Sequence, residues 1–422
     1  MARPSSRSVL LLLLVLLASG SIALASAPRA DTARCLEEAD LPRVARVRAP
    51  DGTAVHARVL EQRDGRPTTF SFLAPIGEDL ATVFERASQP PPSDAPTWRV
   101  AADELSSRVC APVRVPQAEL EAETAVVVAV GLNYAEHAEE AGGGDVFVFP
   151  KPVEPSAPYG SVSPPRGVTL LDYEVELAYV LLADVDLGTR PDLETFLEQS
   201  AFFVANDITD REAIIRRVGL SPPGTGFVEG KGQPDFLPSG PWMVRGTELF
   251  DALERCGGGG LGIRLAVDEG SGFETRQDAT TDQMIVRPLD LLEKIASQIE
   301  TNGLRTAMPA ERTEGVRYYP FAVSQPDTGR SILPAGTVIV TGTPGGIAMD
   351  TPDVVPLLFR GLLRLRGPSE QFRIEQLARV AGDEPGGFLA AGDRVRASID
   401  GLGSQEFSIR SAGSPLQRDP CD

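Results

Sequence analysis

The sequence predicts a mixed α/β protein that is rich in β-strands. Short strand-forming runs separated by Asp-Gly turns occupy the N-terminal part, which indicates a small β-rich module. A continuous apolar run at 125–130 is typical of a strand buried on both faces. The pattern over 288–300 is that of an amphipathic helix. With 42% apolar residues among 422, the chain can bury a large core.

The charged residues bear on partners. The formal net charge of −19 argues against nucleic-acid binding, which requires a basic surface. Of the 40 lysines and arginines, the only lysines are Lys151, Lys231 and Lys294. Because the chain otherwise uses arginine, each lysine marks a candidate position for a compact ammonium group.

The first 25 residues predict a signal peptide. Arg3 and Arg7 precede an apolar run at 9–17, and small residues follow up to an A-x-A site that ends at Ala25. We therefore expect export to the periplasm or the medium, with no stable membrane partner after cleavage. An uncleaved N-terminal anchor is the alternative, although the apolar run is short for a membrane-spanning helix.

The four cysteines gain meaning from that expectation. In an oxidising compartment they can form two disulfides, with three pairings open. The working assignment joins Cys35 to Cys110 within the N-terminal region, and Cys256 to Cys421 at the C-terminal tail. The wide spacing of the cysteines resembles no metal motif.

The chain divides into four expected segments. These are a signal peptide at 1–25, a small β-rich N-terminal domain at 26–121, a larger domain at 122–412 and a tail at 413–422. Within the N-terminal domain, strands are predicted at 44–47, 54–60 and 68–72, and a proline-rich loop at 87–96. His56 lies in one of these strands and is interpreted as a packing or surface residue.

A histidine and a glutamate follow the buried strand at 125–130. Asn133 is positioned to cap a short helix, which would place His137 and Glu140 three residues apart on one face. A carboxylate beside an imidazole orients the ring and raises its basicity, as a general base acting on water requires. An ordinary helix pair is the alternative, but His137 is one of only two histidines.

Three carboxylates alternate along the stretch at 171–177. At the period of a strand, Asp172, Glu174 and Glu176 fall on one face. If that face is enclosed, the repulsion requires a cation or protonation, and hard oxygen ligands suit Mg²⁺, Ca²⁺ or Mn²⁺. A solvated acidic face is the alternative. Asp207, at the end of the next apolar strand, is a further candidate ligand.

The remaining motifs have weaker signals. Gly- and Pro-rich residues at 220–232 predict a mobile flap that carries Lys231. A strand at 338–340 leads into a turn whose Thr343, Gly345 and Gly346 can offer a hydroxyl and backbone N–H groups to an anion. β-Hairpin patterns are predicted from 268 to 282 and from 391 to 403.

Seven segments, in this order along the chain, resemble the fumarylacetoacetate hydrolase family. Together they cover most of 126–408, and they are GLNYAEHAEE, DYEVEL, ANDITDRE, EGKG with PSGPW, RQDATTDQM, VIVTGTPGG and AAGDRVRASIDGLG. The resemblance implies a catalytic domain of β-roll or barrel-like sheets with flanking helices, and often a homodimer.

The resemblance also implies roles for single residues. Glu174, Glu176 and Asp207 stand at the positions of the metal ligands, usually for Mg²⁺ or Mn²⁺, with Ca²⁺ as a further candidate. His137 and Glu140 match the water-activating dyad of acylpyruvate hydrolases. The remaining matches are Lys231 to the lysine that polarises the substrate carbonyl, and Thr343, with the Gly345-Gly346 turn, to the site of the substrate carboxylate.

The implied activity is metal-dependent hydrolysis of a carbon–carbon bond in a 2,4-dioxo acid, giving a pyruvate-type product and a carboxylic acid. Hydration, decarboxylation or isomerisation of 2-oxo acids on the same metal site is the alternative, as is an exported ligand-binding protein without turnover. Both members of the dyad are present, which favours hydrolysis. The inserts at 302–330 and 348–388, and the sequence after Lys231, depart from the family pattern.

Overall fold

The computed structural model describes residues 26–114, 126–140, 143–217, 225–302, 330–349, 370–371, 374–375 and 387–422. The predicted signal peptide, the boundary at 121–122 and most of the two long inserts lie outside the described residues. The domain boundaries therefore stay predictions. No helix among the described ranges has the length and apolar character needed to cross a membrane.

The N-terminal region contains a four-stranded antiparallel sheet in the order β1-β2-β3-β4. Asp64 and Gly65 both have positive φ, as the tight turn between β2 and β3 requires. Three helices accompany the sheet, and they were absent from the sequence prediction. The elements are α1 (Ser26–Glu38), β1 (Val44–Arg48), β2 (Ala54–Arg63), β3 (Arg66–Pro75), α2 (Leu80–Ala87), β4 (Thr97–Arg99), a 3₁₀ turn (Ala102–Glu104) and α3 (Leu105–Arg108).

The larger region is built around a six-stranded and a five-stranded sheet. The first has the order β13-β11-β9-β17-β5-β6, and the second the order β15-β14-β18-β19-β7. Two short ladders, β8 with β12 and β10 with β16, are also present among the described residues. The strands are β5 (Val127–Gly131), β6 (Phe147–Pro150), β7 (Tyr159–Val162), β8 (Leu171–Asp172), β9 (Val175–Leu181), β10 (Val185–Asp186), β11 (Ser200–Asn206), β12 (Thr209–Asp210), β13 (Val244–Arg245), β14 (Gly262–Asp268), β15 (Phe273–Thr280), β16 (Ile332–Leu333), β17 (Val338–Val340), β18 (Arg394–Ile399) and β19 (Gly403–Ile409).

Helices flank these sheets. The amphipathic helix predicted at 288–300 is confirmed, with Leu291, Leu292, Ile295 and Ile299 buried. The helices are α4 (Ala135–Glu140), α5 (Leu193–Glu198), α6 (Arg211–Arg217), α7 (Thr225–Lys231), α8 (Gly246–Arg255), a 3₁₀ turn (Thr281–Gln283) and α9 (Pro288–Asn302). The observed class is therefore the predicted one, mixed α/β and rich in strands.

Both faces of the six-stranded sheet are buried. Along β5, Val127 and Ala129 enter one core cluster, whereas Val128 and Val130 enter the other. The cluster around Val127 also includes Phe84 from α2, so the N-terminal region packs against this face. This arrangement explains why β5 reads as a continuous apolar run.

The disulfides correct the working assignment. Cys35 bonds to Cys256, and Cys110 bonds to Cys421. The first links α1 to the end of α8, and the second links the N-terminal region to the C-terminal tail. The assignment was wrong because it joined Cys35 to Cys110 within the N-terminal region, whereas each bridge joins the N-terminal region to a later part of the chain.

Candidate active site

Four loops that carry candidate site residues meet at one edge of the six-stranded sheet. Strand β9 runs antiparallel to β11 and β17, and β17 runs parallel to β5. The start of β9 therefore lies at the same edge as the ends of the other three strands. Loops from four separate parts of the sequence are brought together at this edge.

Glu174, Glu176 and Asp207 form a compact acidic cluster at this edge. One carboxylate oxygen of each lies within 4.8 Å of the other two, and all three side chains are buried. The Asn206 side chain accepts a hydrogen bond from the Glu174 N–H at 3.2 Å, which holds the start of β9 against the end of β11. The alternative of a solvated acidic face is thus wrong for these two glutamates.

Asp172 is buried but lies outside that cluster. Strand β8 ends at Asp172 and β9 begins at Val175, so the alternation is interrupted between them. The Asp172 carboxylate accepts hydrogen bonds from Arg211 Nε at 2.7 Å and from the Ala348 N–H at 2.9 Å. These contacts indicate a role in fixing the chain near Ala348.

The Lys231 ammonium bridges two of the clustered carboxylates. Its Nζ lies 2.7 Å from Glu174 Oε2 and 2.8 Å from Asp207 Oδ2, and it also donates to Thr209 Oγ1 at 2.8 Å. Lys231, which the sequence placed on a mobile flap at 220–232, ends helix α7 and is buried. The mobility of that segment stays a prediction. The first part of that predicted flap lies outside the described residues.

Arg211 and Lys151 supply two further buried cations. Arg211 donates to Asp172 and to Glu174 Oε1, and Lys151 Nζ lies 2.6 Å from Asp207 Oδ1. Both side chains are at most 3% exposed. Each clustered carboxylate except Glu176 therefore contacts a cationic side chain of the described chain.

The carboxyl groups differ in acidity because their neighbours differ. Burial would raise the pKa of Glu174, but Lys231 and Arg211 outweigh it and hold that pKa at about 2. Burial raises the pKa of Glu176 well above its ordinary value, and the charges of Asp207 and Glu174 raise it further. Burial lowers the pKa of Lys151, whereas Asp207 and Glu174 overcome burial to raise that of Lys231. Without a further cation, Glu176 is the carboxyl that favours its neutral form.

The cluster fits a divalent cation. Glu176 Oε1 is buried and has no hydrogen-bond partner among the described residues, as expected for an oxygen that binds a metal ion. The three donors are hard carboxylate oxygens, the type that Mg²⁺, Mn²⁺ and Ca²⁺ prefer. Glu174, Glu176 and Asp207 are therefore the residues that could hold a metal.

His137 and Glu140 lie together on helix α4. His137 Nδ1 is 3.8 Å from Glu140 Oε2, too long for a hydrogen bond, and neither atom has a partner among the described residues. The other oxygen, Glu140 Oε1, accepts from the Gly346 N–H at 2.8 Å. The predicted pair is therefore in place on one face, with the glutamate anchored and the imidazole nitrogen open to a further partner.

Asn133 does not act as the predicted cap of α4. Its amide donates to the carbonyls of Thr341 and Val286, and its oxygen accepts from the Val286 N–H. The prediction failed because two neighbouring loops, remote in sequence, provide these partners. Asn133 instead fixes the loop after β5 to the loop after β17.

The glycine turn after β17 already binds carboxylates of the chain itself. The Gly342 N–H donates to Glu176 Oε2 at 2.7 Å, and the Gly346 N–H binds Glu140. The Thr343 hydroxyl donates to the Val175 carbonyl and accepts from Gln277 Nε2, both within 2.9 Å. Thr343, Gly345 and Gly346 thus lie at the site as predicted, and their role toward a substrate stays a prediction.

Three site residues received no role from the sequence: Lys151, Arg211 and Gln277. Gln277 joins β15 to the site, because it binds Thr343 and accepts from the Val175 N–H at 3.0 Å. Arg211 and Gln277 lie within the family-like segments ANDITDRE and RQDATTDQM. The signal for Lys151 was the scarcity of lysine.

Comparisons with known proteins agree with this geometry. The model of the fumarylacetoacetate (FAA) hydrolase C-terminal domain matches residues 126–410, more than half of the chain. A provisionally named hydrolase of Burkholderia cenocepacia is 28% identical over 298 residues, which cover 68% of this chain and 74% of that protein. A similarly named Burkholderia multivorans protein is 29% identical over 268 residues, covering 60% of this chain and 74% of the relative.

Solved structures share the fold. A provisionally assigned HpcE protein of Mycobacterium smegmatis superposes with a TM-score of 0.52 at 21% identity, covering 88% of this chain and 99% of its own. The inhibitor complex of Cg1458 gives a TM-score of 0.51 at 17% identity, with the same two coverages. At these identities the likeness supports the fold alone. Because the model of the family's C-terminal domain matches more than half of the chain, the chain belongs to the fumarylacetoacetate hydrolase family of enzymes.

Proposed function

We propose that the protein is a metal-dependent hydrolase that cleaves a carbon–carbon bond of a 2,4-dioxo acid. The observation that supports this most is the meeting of the buried acidic cluster with the His137–Glu140 pair at one sheet edge. The cluster provides a place for a dication, and the pair provides a base for water. Hydrolysis needs both, whereas binding alone does not need the base.

The chain's residues have distinct tasks in the proposed reaction. Mg²⁺ or Mn²⁺ held by Glu174, Glu176 and Asp207 would supply positive charge to the oxo and carboxylate oxygens of the substrate. Lys231, whose ammonium lies on the carboxylates of Glu174 and Asp207, would stabilise charge on the carbonyl that is attacked. The turn with Thr343, Gly345 and Gly346 would receive the substrate carboxylate.

Proton transfer falls to the dyad. His137, whose Nδ1 lies 3.8 Å from Glu140 Oε2, takes a proton from water, and the hydroxide adds to the C4 carbonyl. The C3–C4 bond then breaks, its electron pair passes to C3, and His137 returns the proton there. The products are a carboxylic acid and a pyruvate-type acid, so all atoms are accounted for.

Export is part of the same proposal. Both disulfides require an oxidising compartment to persist, which supports the interpretation of residues 1–25 as a signal peptide. Mass spectrometry of the protein from its native host should find a mature N-terminus near Ser26. An intact Met1 on cytoplasmic protein would contradict export.

A turnover screen tests the reaction. Acylpyruvates and other 2-oxo acids are offered with Mg²⁺ or Mn²⁺, and loss of the enol absorbance is followed together with product analysis. We expect two acids from an acylpyruvate. Release of carbon dioxide from 2-oxo acids, with acylpyruvates left intact, would instead identify a decarboxylase.

His137→Ala tests the role of the base. We expect kcat to fall roughly 10²–10⁴-fold, the usual range for a lost general base, while calorimetry shows unchanged metal affinity. His56→Gln is the matched control, because His56 is the other histidine and lies in the N-terminal sheet. Normal turnover by His137→Ala would show that the pair is structural.

A further inference from the structure

Lys151 contacts two site residues at once and has no part in the proposed reaction. Its Nζ donates to Asp207 Oδ1 at 2.6 Å and to the backbone carbonyl of Lys231. The side chain is fully buried. Asp207 is thereby bonded on Oδ1 by Lys151 and on Oδ2 by Lys231.

The backbone of Lys151 is held on both sides. Its N–H donates to the Val127 carbonyl at 2.9 Å, and its own carbonyl accepts from the Val153 N–H at 2.8 Å. These bonds fix the base of the side chain at the end of β6. The ammonium therefore reaches Asp207 from a rigid element, the arrangement that gives a precise site.

The contact also spans the curved sheet. Strands β6 and β11 are four steps apart in the order β11-β9-β17-β5-β6. In a flat sheet they would lie about 19 Å apart, farther than a lysine and an aspartate can reach together. The pair is thus a cross-link between distant strands, and a purely structural role must be weighed against a role in the site.

Two features favour the site. Only three lysines occur in the chain, and two of them bind the same aspartate. An arginine fork, the usual cation of this sequence, is planar and larger than the ammonium that meets an oxygen and a carbonyl here. Moreover, with Lys151 on Oδ1 and Lys231 on Oδ2, the Asp207 carboxylate is fixed in one orientation beside Glu174 and Glu176.

We propose that Lys151 is a positioning residue of the acidic cluster: it binds Oδ1 of Asp207, holds that carboxylate in one orientation beside Glu174 and Glu176, and ties the end of α7 to the same point. This inference rests on the proposed metal site. Partners of metal-ligating carboxylates typically contribute 10–100-fold to metal affinity. Without Lys151, Oδ1 would be left buried without this donor, and Lys231 on Oδ2 would be the remaining cationic partner of the carboxylate among the described residues.

Lys151→Met tests the inference, with Lys294→Met as the matched control. Lys294 is exposed, and among the described residues its ammonium makes one long contact, of 3.4 Å, to the Val146 carbonyl. Calorimetric titration with Mn²⁺ and Mg²⁺ should show a dissociation constant raised roughly 10–100-fold for Lys151→Met, and unchanged for Lys294→Met. The paramagnetic resonance spectrum of bound Mn²⁺ should also change for Lys151→Met alone.

The outcomes distinguish failure of the proposed metal site from failure of the positioning role of Lys151. If the wild type binds neither ion, the proposed metal site and this inference both fall. If the wild type binds and folded Lys151→Met binds equally tightly, with at most a lower melting temperature, only the positioning role is overturned. If Lys151→Met does not fold, Lys151→Arg carries the test: about tenfold weaker binding supports the role of the compact ammonium, and wild-type affinity overturns it.

Discussion

At the scale of single residues, the carboxylates were readable because a strand alternates and Asp207 ends a strand. Glu174 and Glu176 need no tertiary information to be placed on one face. Placing Asp172 does need tertiary information, because the amino-acid sequence does not reveal the break between β8 and β9. The same holds for Lys151, whose partner Asp207 is 56 residues away in sequence. Side chains that act across the sheet depend on which strands become neighbours.

His56 gives a prediction about acid stability. It is buried, and its Nδ1 has no hydrogen-bond partner among the described residues. Burial, with a smaller contribution from Arg46 opposite it on β1, lowers the pKa of His56 to about 4. As the pH falls, His56 is therefore protonated near pH 6.5 in the unfolded chain but only near pH 4 in the folded chain. The contribution of neutral His56 to the free energy of unfolding is fully present above pH 6.5, and it is lost as the pH falls from 6.5 to about 4.

Denaturant unfolding at pH 7 and pH 4.5 measures the effect. The wild type should lose about 2 kcal/mol more than His56→Gln between these values, since the glutamine does not titrate. The comparison is made between the two pH values within each protein, so a constant packing defect of the variant cancels. Equal losses for both proteins would show that His56 is not protonated on unfolding.

At the scale of elements, the strands were predicted better than the helices. Strands β1, β2 and β5 carry clear signals, either turn residues at their ends or a continuous apolar run. Helix α1 does not, because it is a mainly polar segment held by tertiary contacts: the buried Leu36, the disulfide at Cys35 and a hydrogen bond from Thr32 to the Cys256 carbonyl. Its position is set by tertiary contacts, which local propensity does not contain.

The glycine turn after β17 should tolerate no side chain at Gly346. Gly346 has φ +94°, and a Cβ there would lie 2.1 Å from the Arg276 carbonyl oxygen. Gly346→Ala must therefore shift the backbone of β15 or of the turn, and its N–H would leave Glu140. We expect a loss of stability clearly larger than the roughly 1–3 kcal/mol of left-handed strain alone, together with slower turnover.

Gly336→Ala is the control for Gly346→Ala. Gly336 has a similar φ of +88°, but a Cβ there meets no atom within 4 Å. It should therefore show the strain without the clash, and it should retain turnover. Equal melting temperatures for the two variants would mean that the turn relaxes freely, and that it does not hold Glu140 in a fixed position.

At the scale of the whole molecule, the disulfides join parts that the sequence separates. Cys35–Cys256 and Cys110–Cys421 span 221 and 311 positions. An exported chain with four cysteines predicts two bridges, but the pairing depends on which surfaces meet. The N-terminal region packs on the six-stranded sheet, and β1 also bridges to Met243 through Val44. The disulfides therefore fasten an interface that packing already forms.

Removing the bridges should separate these two contributions. The double variants Cys35→Ser/Cys256→Ser and Cys110→Ser/Cys421→Ser each free a long loop of the unfolded chain, which the chain-entropy model values at about 5 kcal/mol, an upper bound in practice. We expect each to melt well below the wild type, and to retain turnover at low temperature because the site at the sheet edge contains no cysteine.

The control is the wild type under reducing conditions, which should approach the combined loss of both variants. If either double variant melts at the wild-type temperature, packing alone holds the N-terminal region at that point. If turnover is lost while the variant remains folded, the bridges shape the site itself.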